Sequence, residues 1–115
     1  MNESDQLDAA FAALAHPARR AILAHLARGT ASVNALAEPF DMSLPAVSKH
    51  IRVLENAGLI TRERDAQFRL CTLETKPIQN ISSWTEQYRH IWDARFDAMG
   101  KLLNDIKESN DEPGH

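Results

Sequence analysis

The stretch Ser43 to Ile60, SLPAVSKHIRVLENAGLI, constrains the fold more than any other part of the chain. Ser43 can cap a helix through its hydroxyl, Pro45 is tolerated in a first turn where its missing N–H has no partner anyway, and Gly58 can supply the left-handed residue that ends it. A helix of about four turns is expected between them. Within it Leu44, Val47, Ile51 and Leu54 recur at helical spacing and form one apolar stripe that must face a core. At ~100° per residue, Lys49 and Arg52 project from the opposite side with the small Pro45 and Ala46, while Ser48 and His50 flank the stripe. That outer surface suits the floor of a DNA major groove, where Lys and Arg meet guanine acceptors and phosphates and a small apolar group meets a thymine methyl. An ordinary amphipathic helix with a solvated face fits the same residues, so the neighbouring segments decide.

Upstream, Leu7, Ala10, Phe11 and Leu14 make a short amphipathic helix that His16-Pro17 interrupts, because the residue before a proline is pushed out of the helical region. A second helix starts at Pro17, with Ile22, Leu23 and Leu26 on its apolar face, Arg19, Arg20 and Arg28 on its polar one, and Gly29 as its stop. Ser32 can cap a third, short helix in which Val33, Leu36 and Ala37 point inward before Pro39. Two short helices joined by a tight connection, the second carrying outward cations, make a helix-turn-helix over 32–57. In that arrangement the first helix crosses the DNA backbone and the second enters the groove.

Beyond Gly58 the period changes. Ile60 to Arg64 and Phe68 to Leu73 are rich in β-branched, aromatic and aliphatic residues and flank Asp65-Ala66-Gln67, which reads as a two-stranded hairpin over 59–73. A hairpin alone is marginal in water, so this one should rest on the helices as a wing. Arg62, Arg64 and Arg69 lie on or beside its tip, where they suit phosphate or minor-groove contacts better than simple solvation. From Ile78 to about Lys107 one long helix is expected, its apolar positions including Ile81, Trp84, Tyr88, Ile91, Trp92, Phe96, Met99, Leu102, Leu103 and Ile106. An exposed aromatic stripe on a monomer is an association liability. The stripe is therefore expected to pack on a second copy through Trp84, Tyr88, Trp92, Phe96 and Met99, with Leu7 and Phe11 of the first helix contributing. The polar tail from Glu108 to His115 is expected to be disordered.

Length and charge bound the rest. A chain of 115 residues, 43% apolar, is long enough for one compact domain and too short for two. The net charge of −3 hides a gradient: residues 1–15 carry three acids and no base, residues 43–73 five bases against three acids, and residues 74–115 eight acids against five bases. A basic middle between acidic ends is compatible with a nucleic-acid partner. The single cysteine, Cys71, excludes an internal disulfide and fits a reducing compartment. No apolar run approaches the ~20 residues of a membrane span, and Met1 to Asp8 is unlike a signal peptide, so a soluble, cytoplasmic protein is expected.

With these residues in view, the chain resembles the ArsR/SmtB family of winged-helix transcriptional regulators. The resemblance runs from LAHPARRAILAHLARG through SLPAVSKHIRVLENAGLI and the wing to WTEQYRHIWDARFDAMGKLL, with aromatic residues at 84, 88 and 92. It implies a mainly α fold with a small β-hairpin, in the order α-α-α-α-β-β-α, and a homodimer built by the first and last helices. It also implies repression by binding double-stranded DNA at a palindromic operator, one recognition helix per half-site. Ser43, Pro45, Ala46, Ser48, Lys49, His50 and Arg52 on that helix, with Arg62, Arg64 and Arg69 on the wing, are the expected DNA contacts. For His50 an internal hydrogen bond and a DNA contact stay equally open. Metal-sensing members place a Cys-x-Cys pair in or near the third helix, whereas Ser32 to Phe40 here holds neither Cys nor His. The wing tip departs too, with Ala66 where the family often has glycine.

Other chemistry finds little support. The five histidines, His16, His25, His50, His90 and His115, make no H-x3-H pair, so no metal or other cofactor is expected. Cys71 alternates with Arg69 and Leu73 along a strand and reads as packing rather than as a redox switch. No glycine-rich phosphate loop or nucleophile elbow points to an enzyme. Two alternatives to a plain repressor stay open: a regulator gated by an unknown effector or by redox at the dimer interface, and a winged-helix module that binds only protein.

Overall fold

The computed structural model describes residues 2–65 and 68–111. Its elements are α1 (Glu3–Leu14), α2 (Pro17–Leu26), β1 (Ala31–Ser32), α3 (Val33–Ala37), α4 (Leu44–Asn56), β2 (Ile60–Asp65), β3 (Phe68–Leu73), α5 (Lys76–Glu86) and α6 (Arg89–Asp111). The fold is mainly helical with one small antiparallel sheet, ordered β1-β3-β2. The chain divides into two compact units, Met1–Ile81 and Ser82–His115.

Local chemistry starts and stops each helix of the first unit. His16 occupies the N-cap of α2, its Nδ1 accepting from the Ala18 N–H at 3.1 Å, with Pro17 in the first turn. Ser32 and Ser43 cap α3 and α4 by accepting from the Ala35 and Ala46 N–H groups at 3.1 and 3.3 Å. At the end of α4, the Gly58 N–H donates to the Glu55 carbonyl and the Leu59 N–H to the Leu54 carbonyl, the paired bonds of a Schellman motif. Gly58 has φ of 78°. A Cβ there would meet only Pro77 Cγ, at 3.7 Å, so crowding is absent and the strain is in the backbone alone. Gly58→Ala is expected to destabilise the protein by roughly 1–2 kcal/mol, read by denaturant unfolding; an unchanged midpoint would show that the turn relaxes freely.

The core is one cluster. Ala13, Ile22, Leu23, Leu26, Leu36, Val47, Ile51, Leu54, Leu59, Ile60 and Cys71 are buried together, and Leu14, Val33, Ala37, Phe40 and Leu73 pack on its edge. The stripe of α4 enters it through Val47, Ile51 and Leu54, all at 0% exposure. Leu44, expected in the same stripe, is instead 47% exposed, because the first turn of α4 protrudes beyond the core. Cys71 sits at the centre of β3, in register with Ala31 on one side and Arg62 on the other, and is fully buried. Burial pushes its thiol above the ordinary range.

Three further features differ from the sequence expectation. β1 adds a third strand to the hairpin, and at two residues it is too short to show a period. The long helix expected over 78–107 is interrupted at Gln87-Tyr88, with α5 before the break and α6 after it. There the Thr85 hydroxyl donates to the Ser82 carbonyl at 2.9 Å and the Gln87 amide to the Trp84 carbonyl at 2.9 Å, while the Tyr88 N–H turns to Thr85. Side chains thus take carbonyls that a continuous helix would use, which bends or ends it. At the other end α6 runs through Asp111, so the first half of the polar tail is helical, while residues 112–115 lie outside the described residues.

Candidate nucleic-acid interface

The outer face of α4 carries the expected groups. Lys49, Arg52, Ser43 and Pro45 are exposed, and Ala46, Ser48 and His50 are half-buried. Because Val47, Ile51 and Leu54 anchor the opposite face, the helix is held rigidly while its cations stay able to reach outward. Ser43 spends its acceptor on the Ala46 N–H, which leaves the hydroxyl proton for a phosphate oxygen.

The wing sorts its three arginines into two roles. Arg62 grips Glu55, near the end of α4, with Nη2 at 2.8 Å and Nε at 3.2 Å from the two carboxylate oxygens. The bidentate hydrogen bonds from Arg62 hold the Glu55 carboxyl below its usual range, and Glu55 in turn raises the guanidinium. Arg52 and Arg69 also act on this carboxylate, so the end of α4 and the wing converge on one acid. Arg62 is thus engaged internally. It fixes the wing to α4 and neutralises a carboxylate that would otherwise repel a phosphate.

Arg64 and Arg69 are exposed and lie directly opposite each other across β2 and β3. Like charges in that position destabilise a sheet, and a bound anion would relieve the cost. Together with Glu55, Arg62 and Glu63 they line an open cleft of about 270 Å³. The turn at Ala66-Gln67 lies outside the described residues.

Two partnerships have no counterpart in the sequence reading, and a third is the internal hydrogen bond that was one of two roles open to His50. Glu55 carries no local signal, and only the reversal at Gly58 brings it to Arg62. Arg19 and Arg20, which periodicity puts on a solvated face, cap α1: Arg19 donates to the Ala13 and Ala12 carbonyls at 2.6 and 3.1 Å, and Arg20 to Leu14 at 2.7 Å. His50 is hydrogen-bonded internally, its Nδ1 lying 3.3 Å from Arg19 Nη1. The signal available was His16-Pro17, which forces a corner whose exposed carbonyls need donors.

Most of the described residues expected at a subunit interface are accessible. Phe11, Trp84, Tyr88 and Trp92 are each about 40% exposed and Met99 is 60% exposed, while Leu7 is half-buried. Trp84 and Tyr88 meet edge-on at 5.2 Å across the break. The side chain of Phe96 lies outside the described residues.

A helix-turn-helix domain family matches residues 14–63. The chain is similar to the transcriptional repressor SdpR of Bacillus subtilis (strain 168), 35% identical over 74 residues that cover 64% of this chain and 82% of that protein. A crystal structure of an ArsR family transcriptional regulator aligns with a TM-score of 0.73 at 40% identity, covering 80% of this chain and 95% of that one. The chain belongs to the ArsR family. As an ArsR-family protein it is a DNA-binding transcriptional regulator with a winged helix-turn-helix fold, a class that is not enzymatic. The solution structure of a homodimeric winged helix-turn-helix DNA-binding domain from Mycobacterium bovis shares this ArsR-like fold, with a TM-score of 0.61 at 23% identity over 97% of this chain and 90% of that one. Among the described residues no helix is long and apolar enough to cross a membrane, and no three His, Cys, Asp or Glu side chains group as a metal site would require.

Proposed function

We propose that the chain is a cytoplasmic homodimeric repressor that binds a palindromic operator, with one α4 in the major groove of each half-site and the wing on the flanking backbone. The observation that carries this reading is the opposed pair Arg64 and Arg69, placed by the Glu55–Arg62 bridge beside the cationic outer face of α4. In this division of labour Ser48, Lys49 and Arg52 address base edges, with Pro45 and Ala46 allowing close approach, and Ser43, Arg64 and Arg69 address phosphates. The exposed aromatic and aliphatic residues of α5 and α6, with Leu7 and Phe11, form the subunit interface.

The test uses a duplex that the protein itself selects from randomised DNA. Arg52→Ala or Ser48→Ala is expected to weaken that operator by ~1–3 kcal/mol and relax specificity at one position per half-site. Arg64→Ala is expected to weaken operator and random duplex alike, lowering the salt slope by about one unit for each phosphate no longer neutralised, or two per dimer. Titration of each variant against salt on both duplexes decides the matter. Loss of specificity in the wing variant, with only general weakening in the helix variants, would reverse the assignment, and absence of salt-dependent binding would favour a protein-interaction module.

An effector-gated version has one observation in its favour. A cavity of about 380 Å³ is lined by Leu7, Ala57, Gly58, Lys76, Pro77 and Asn80, among others, so a small molecule lodged there would touch α1, the end of α4 and the start of α5 together.

A further inference from the structure

Between α4 and the corner that joins α1 to α2 lies a cluster that the DNA contacts leave unused. His50 is half-buried on the inner edge of α4, its ring 4.4 Å from that of His16 and tilted by 48°. Arg19 reaches across the same junction, with Nε and Nη2 donating to the Ala13 and Ala12 carbonyls of α1 and Nη1 to Nδ1 of His50. An arginine offers only donors, so His50 must accept at Nδ1 and carry its proton on Nε2. His16 is constrained in the same way, because its Nδ1 accepts from the Ala18 N–H at the cap of α2. The hydrogen bonds that these two rings make at the junction therefore require neutral imidazoles.

We propose that His50 is a positioning residue rather than a DNA contact, and that the His16–His50–Arg19 cluster makes operator binding proton-linked. Uptake of a proton converts Nδ1 of His50 into a donor facing a guanidinium, and on His16 it removes the acceptor that caps α2. The recognition helix then loses its tie to α1 and α2 and no longer presents Ser48, Lys49 and Arg52 in one fixed geometry. The inference rests on the reading of α4 as the groove-binding helix.

Electrostatics supports the geometry. Burial holds the His50 imidazole below its ordinary value of 6.5, and His16, Arg19 and Lys49 push it in the same direction. Among the described residues these are the charged or titratable groups acting on His50, from the corner, from α2 and from its own helix, and each is cationic when charged. A group lowered in the folded state contributes stability that is present above 6.5 and is lost as the pH falls from there through the folded value. The sign separates this role from direct recognition. A histidine that touched phosphate would strengthen binding on protonation; a histidine that must stay neutral to hold the helix weakens it.

Operator and random duplexes titrated with the full chain between pH 8 and pH 5, at constant ionic strength, test the proposal. The ratio of operator to random affinity is expected to fall on acidification, on the order of tenfold for each pH unit and each linked proton. His50→Gln, whose amide oxygen can accept from Arg19 but cannot titrate, and His16→Asn, which preserves a capping side chain, are each expected to flatten the profile, whatever their affinity at pH 8. A ratio that rises on acidification would make His50 a DNA contact and overturn the proposal. A flat wild-type profile, or variants that follow the wild-type slope, would overturn it as well. Should a variant fail to fold, the direction of the wild-type ratio alone decides. Binding at pH 8 with the wrong pH dependence removes only this inference, whereas no binding at pH 8 removes the reading beneath it.

Discussion

Replacing both Trp84 and Trp92 with alanine is expected to convert the proposed dimer into monomers at micromolar concentration and to abolish tight operator binding. The two indoles and Tyr88 form an exposed aromatic group, followed on α6 by Met99, Leu102, Leu103 and Ile106 at 49–60% exposure. A face of this kind, left to water, favours association. Tryptophan anchors buried at the centre of an interface are worth roughly 2–4 kcal/mol each on truncation, and in a two-fold interface each truncation counts twice. The DNA consequence is indirect. Two linked recognition helices gain about 10²–10⁴ in affinity over one, because the second half-site is bound at high effective concentration. Sedimentation velocity and operator titration on the same samples read both effects. A double variant that remains dimeric would move the interface elsewhere, and a monomer with undiminished operator affinity would remove the need for a dimer.

Ile51→Ala and Arg52→Ala, one residue apart, are expected to fail in different ways. Ile51 is fully buried in the core with residues of α2 and α3 and with Leu59 and Ile60 at the start of the wing. Its truncation leaves a cavity and is expected to cost about 2–5 kcal/mol, a large part of the 5–15 kcal/mol typical of a small domain. The folded fraction should keep the operator specificity of the parent, since no outward group has changed. Arg52 is exposed, so its truncation should leave unfolding within about 0.5 kcal/mol of the parent while operator affinity falls. Denaturant unfolding beside operator titration separates the two. Equal losses of stability in both variants would mean that the two faces of α4 are not divided as described.

Much of this architecture was legible in the residues themselves. Caps at Ser32 and Ser43, the stop at Gly58, the corner at His16-Pro17 and the period change after Leu59 are local signals, because each depends on the backbone geometry of a few adjacent residues. The apolar positions of α2, α3 and α4 set which faces turn inward, and Leu44 is the one of the α4 stripe that does not. The cationic outer face of α4 followed from the same periodicity.

What the sequence left undecided depends on residues far apart in the chain. β1 is recruited by β3 across about forty positions and has no pattern of its own. The break at Gln87-Tyr88 hides inside an unbroken apolar period, since it arises from side chains competing for carbonyls and not from a proline or glycine. Which arginine is held internally is also a tertiary matter: Arg62, Arg64 and Arg69 look alike in the sequence, and only the approach of Glu55 withdraws the first. His50 is the clearest case. Helical periodicity places it at the edge of the stripe, where inward and outward roles are equivalent, and the arrival of Arg19 and His16 from another helix turns it inward. The sequence by itself determined α1 to α4, the β2–β3 hairpin and most of their buried faces, because helical and strand periods are short-range. Tertiary structure decided the partners of the charged and titratable side chains, because hydrogen bonds between elements depend on distances that no local pattern encodes.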